Sequence, residues 1–83
     1  MSSKFSRDEI YTFCLCRELA RVRSRLDNFG NRYIDEIAVK FIRFENLKQI
    51  EMDKISSLAS KAQIFLDKNA SARRYENYQQ QSL

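Results

Sequence analysis

Residues 33–66 read YIDEIAVKFIRFENLKQIEMDKISSLASKAQIFL, and the reading of this stretch decides the fold. It holds no Gly and no Pro. Wound at about 100° per residue, its apolar residues Tyr33, Ile34, Ile37, Phe41, Phe44, Leu47, Met52, Ile55, Leu58, Ala59, Ala62, Phe65 and Leu66 fall on one side. The periodicity predicts one long helix over about 32–68, roughly 50 Å from end to end.

Working outward, the segment 27–31 is the turn-forming cluster, and Gly30 is the sole glycine of the chain. A glycine there suits the left-handed residue that ends a helix, and Asn31 suits the cap of the next one. Upstream, Ser6-Arg7-Asp8-Glu9 has the form of a capping box, with Phe5 and Ile10 spaced for a hydrophobic staple. A first helix over about 6–29 follows, with a stripe of Tyr11, Thr12, Leu15, Leu19, Val22, Leu26 and Phe29 in short heptad steps. The tight turn at Gly30 then predicts an all-α fold, an antiparallel helical hairpin with coiled-coil packing. In that register Leu26 faces Ile34, Leu19 faces Phe41 and Leu15 faces Phe44, while Lys48 comes within reach of Asp8.

The two rods are unequal. The surplus apolar face of Ile55, Leu58, Ala62, Phe65 and Leu66 needs cover, so two hairpins are expected to pair into a four-helix homodimer with those residues at the interface. The alternative is a three-helix bundle with a break near 51–54 and Asp53 capping the third helix. Residues 1–5 read as a frayed end, 6–69 as one helical domain, and 70–83 as a flexible polar tail.

Eighty-three residues make one small domain. The two cysteines, Cys14 and Cys16, diverge on a helix and do not bridge each other, and histidine is absent. Neither a metal site nor a cofactor is indicated, and no Gly-rich phosphate loop or nucleophile motif is present. There is no signal-like leader and no apolar run long enough for a membrane span. The expectation is a reduced, cytoplasmic, non-enzymatic protein, or one in the host-cell cytoplasm for a viral source, with no small-molecule substrate.

The residues singled out for recognition lie on helix one. Arg17, Arg21 and Arg25 step by four, and Ile10, Phe13 and Cys14 share their side of the helix, away from the hairpin seam. Arginine's planar fork matches carboxylate and phosphate alike. Apolar anchors beside arginine resemble protein interfaces more than nucleic-acid surfaces. The first expectation is therefore a protein-binding module, an adaptor, chaperone or inhibitor, using Ile10, Phe13, Cys14, Arg17, Arg21 and Arg25. The net charge of +4 and pI near 9.3 keep a second one open, a small nucleic-acid-binding regulator using the arginine row.

Overall fold

The Ser6–Glu9 capping box forms as read. The Ser6 hydroxyl accepts from the Glu9 amide at 3.2 Å, and the Glu9 carboxylate accepts from the Ser6 amide at 2.9 Å. It opens helix α1 (Arg7–Arg21) in a computed structural model that describes the backbone of residues 5–81 and the side chains of 5–74. A short 3-10 turn (Arg23–Arg25) follows, then α2 (Asn28–Ile42), α3 (Gln49–Lys61) and α4 (Lys68–Gln81). The described residues are thus all-helical. Of the frayed end expected at residues 1–5, residues 1–4 lie outside them, and Phe5 is buried with its ring against those of Phe13, Phe41 and Phe44.

The long second helix is corrected to two helices with a sharp return between them. At the end of α2 the Glu45 amide donates back to the Lys40 carbonyl at 2.8 Å and the Phe44 amide to the Phe41 carbonyl at 3.2 Å. This paired pattern closes a helix through a left-handed residue. Here that residue is Phe44, at φ 58°. The end of α3 repeats the device, with Gln63 at φ 60°, the Ile64 amide on the Ala59 carbonyl and the Gln63 amide on the Ser60 carbonyl. Neither position is glycine, so each carries strain of about 1–2 kcal/mol that the satisfied carbonyls and the packing beyond must outweigh.

The alternative break near 51–54 falls downstream of the observed one. Lys48, not Asp53, is the cap of α3, and the Glu51 carboxylate accepts from the Lys48 amide at 2.8 Å. Glu51 also takes the Lys40 ammonium at 2.7 Å, across from α2. The two charges that interrupt the apolar stripe therefore mark a helix start. Lys48 does not reach Asp8, which pairs instead with Lys68 of α4 at 2.8 Å.

What turns α3 back is again Glu9. Its second oxygen accepts from the Leu47 backbone amide at 2.8 Å and from the Asn46 side chain at 3.1 Å. Burial acts to raise this carboxyl's pKa, but the donors at Ser6, Leu47 and Asn46 outweigh it and hold it below its ordinary value. With α3 returned, Leu15, Leu19, Ile34, Ile37, Leu47, Ile55 and Ala59 form one core around α1. The longest dimension is 37 Å, well short of a rod of about 50 Å.

Gly30 does not end α1. It is the third residue of α2, and its amide donates to the capping Asp27 carboxylate at 2.7 Å. A Cβ on Gly30 would lie 3.1 Å from that carboxylate oxygen, so glycine here gives the cap room. α1 and α2 meet through Phe13 and Phe41, with ring centroids 4.7 Å apart, a register shifted from the expected Leu19–Phe41 contact, and Arg23 pairs with Asp35.

Of the flexible tail expected at 70–83, residues 70–81 are helical as part of α4, and 82–83 lie outside the described residues; the Asp67 carboxylate caps the Ala70 amide at 2.9 Å. α4 lies on α1 through Lys68–Asp8, Arg7–Asn69 and the buried Ser71, whose carbonyl faces the Cys14 thiol at 4.0 Å.

Replacing Glu9 with Ala leaves the Leu47 amide without its acceptor, and urea denaturation is expected to show a loss of about 2–3 kcal/mol. Because the Glu9 carboxyl titrates lower in the fold than in the unfolded chain, its contribution is complete above the ordinary value of 4.5 and fades as pH falls through the folded one. Glu9→Gln should flatten much of that acid sensitivity, leaving the part owed to Glu51, whose carboxyl is lowered in the same sense. A Glu9→Ala variant as stable as the parent would deny Glu9 this role.

Candidate binding groove

α1 is packed by α2, α3 and α4, and a groove of about 410 Å³ follows it between α2 and α4. From α1 come Ile10, Phe13, Cys14, Cys16, Arg17 and Ala20, residues that recur at helical spacing. α2 supplies Ile34, Asp35, Ala38 and Phe41 as the opposite wall, and Arg74 enters from α4. The antiparallel run of α1 and α2 gives the groove two unlike ends. One is formed by Ile10, Phe13 and Phe41; the other carries Arg23, Ala20 and Asp35.

Four of the residues expected to contact a partner are brought together here: Ile10, Phe13, Cys14 and Arg17. Ile10 is a floor residue, buried against its own chain, and Phe13 is half-buried in the aromatic cluster with Phe5 and Phe41. Arg21 and Arg25 do not join them. α1 ends at Arg21, the chain then tightens into the 3-10 turn that holds Arg25, and a straight four-residue row no longer exists. Arg21 lies instead beside Glu18 at 3.6 Å.

The electrostatics of the groove are uneven. Asp35 is paired with Arg23 across its end. Arg74 approaches Glu18 only at 3.8 Å. Arg17 is exposed and makes no ion pair among the described residues. Burial pushes both thiols up, Cys16 to about 12, so neither is primed as a nucleophile. Among the described residues no group of three or more His, Cys, Asp or Glu is placed to hold a metal ion. No helix there is long and apolar enough to cross a membrane.

Sequence reasoning missed Arg23, Asp35, Ala38, Phe41 and Arg74 as members of this site. Ala20 and Ala38 face the groove from opposite walls with small exposed side chains, a signal visible only once the helices are paired.

The interface expected at Ile55, Leu58, Ala62, Phe65 and Leu66 loses its basis. Ile55 is 0% exposed within its own chain, and Leu58, Ala62 and Leu66 pack against the same core. α3 lies along α1 and there is no overhang. Phe65 alone of the five stands out in solvent, at 77% exposure.

A second, shallower groove of about 360 Å³ lies between the start of α2 and the end of α3. Asp27, Glu36, Arg32, Lys54 and Lys61 line it with mixed charge, and the Lys54 ammonium lies 5.2 Å from the Tyr33 ring centre.

No protein-family model matches the chain, and no curated protein or solved structure matches it significantly.

Thiol labelling checks the packing around the first groove. With iodoacetamide at pH 8, Cys14 should react slowly in the folded protein and Cys16 only after unfolding, as followed by intact mass. Equal rates at the two positions would contradict the burial of Cys16 beneath the groove.

Proposed function

We propose that this chain is a non-enzymatic protein-binding module, and that the groove along α1 is where it takes a segment of another protein. The observation that carries the reading is an apolar trough, floored by Ile10 and Phe13, beside an exposed arginine without an ion pair among the described residues. Apolar anchors with arginine at their edge have the composition of protein interfaces. The trough's lining is mainly apolar with a few charged groups, as binding sites commonly are. Two unpaired thiols, one of them buried, fit a reducing compartment. The nucleic-acid reading rested on Arg17, Arg21 and Arg25 acting as one row, and the end of α1 at Arg21 separates Arg25 from the other two.

Filling the groove tests the proposal. Ala38 is exposed on the groove wall, so Ala38→Trp blocks the trough without disturbing the core. Capture of proteins from the native host at about 150 mM salt, compared between parent and variant, should show partners that bind the parent and fall at least tenfold with the variant. Capture that is the same for both, or that vanishes on nuclease treatment, would reject the reading. Binding to phosphate backbone would instead fall steeply between about 50 and 200 mM salt.

A further inference from the structure

The groove is long enough to take about three turns of another helix against α1. From Ile10 to Ala20 its α1 wall spans about three turns, near 15 Å. Ala20 on α1 and Ala38 on α2 have small side chains that allow another backbone to come near, and Arg74 enters from α4. Helices present side chains to it, and the backbone groups of α1 and α2 are committed to their own helical bonds. An extended strand therefore finds no edge to pair with, whereas an amphipathic helix can set side chains spaced i, i+3, i+4 and i+7 into the trough.

Charge then selects among helices. Among the described residues of the lining, arginine appears three times and a carboxylate once, and that carboxylate, Asp35, is already paired with Arg23. Arg17, one turn on from Phe13 and Cys14 along α1, is exposed and has no ion pair among the described residues, and Arg74 has only a long contact to Glu18. A neutral or basic occupant would strip water from the Arg17 guanidinium and give nothing back, which is costly for a charged donor. An aspartate or glutamate meets it with a charge-assisted, two-pronged hydrogen bond. The chain's net charge of +4 favours the same choice at long range.

Building on the module reading above, we infer that the occupant is an acidic amphipathic helix of a partner protein. Its larger apolar side chains lie at the Phe13–Phe41 end, and a carboxylate meets Arg17 with Arg74 close by. Helices α2, α4 and the guest then flank α1 on its open side.

Selection from a phage library of random 16-residue peptides on the parent protein tests this, with each enriched peptide remeasured on variants. Groove dependence is defined by loss of binding to Ala38→Trp or to Ala20→Trp, two exposed wall positions, so that failure of one variant to fold leaves the other. The expected result is groove-dependent peptides with net negative charge and helical apolar spacing. Changing the key Glu or Asp of such a peptide to its amide should weaken binding to the parent at least tenfold. On Arg17→Gln the acid and amide forms should bind within about twofold of each other. Groove-dependent peptides that are neutral or basic would overturn the acidic-helix inference while leaving the module reading standing. A selection that yields no groove-dependent peptide would overturn both.

Discussion

One buried carboxylate ties the beginning of the chain to its middle. Glu9 closes the first turn of α1 with one oxygen and grips the Leu47 amide with the other, at 2.9 and 2.8 Å. Removed from water and acceptor-only, it is tolerable because donors surround it: two backbone amides and the Asn46 side chain. That geometry sets where α3 starts, so the apolar face of α3 falls on α1 of its own chain. The core residues Leu15, Leu19, Ile37 and Ile55, each almost wholly removed from solvent, are the result.

With α3 on one side and α2 and α4 on others, α1 becomes the axis of the molecule. Its apolar residues extend around more of its circumference than the three neighbours cover, and the groove is what remains. That groove is the surface to which we assign a further helix. Arginine at that surface gives the trough a chemical preference that its apolar lining alone would lack.

Much of α1 was legible because its signals are local. The Ser6–Glu9 box, the apolar spacing, and the shared side of Ile10, Phe13, Cys14 and Arg17 all follow from helical geometry within a few residues. The breaks after α2 and α3 were not legible, because the left-handed positions are filled by Phe44 and Gln63, residues that give no sign of a helix end. The apolar stripe also keeps phase through both breaks, so periodicity alone reads one rod. The trace of the first break was the pair Lys48 and Glu51, charges inside an apolar face, which a capping reading explains better than a surface ion pair. Gly30 misled for the opposite reason: its small size serves the Asp27 cap at a helix start. The far wall of the groove, Asp35, Ala38 and Phe41, and Arg74 from a segment read as a tail, depend on tertiary placement that no local pattern encodes.

The grip of Glu9 on Leu47 can be watched directly by following the Leu47 amide and the Glu9 carboxyl carbon by NMR as pH is lowered. Both signals are expected to move together, with one shared midpoint below the ordinary carboxylate value of 4.5. A Leu47 amide that stays unmoved while Glu9 takes up its proton, or a Glu9 midpoint at or above that value, would contradict the role assigned to this carboxylate.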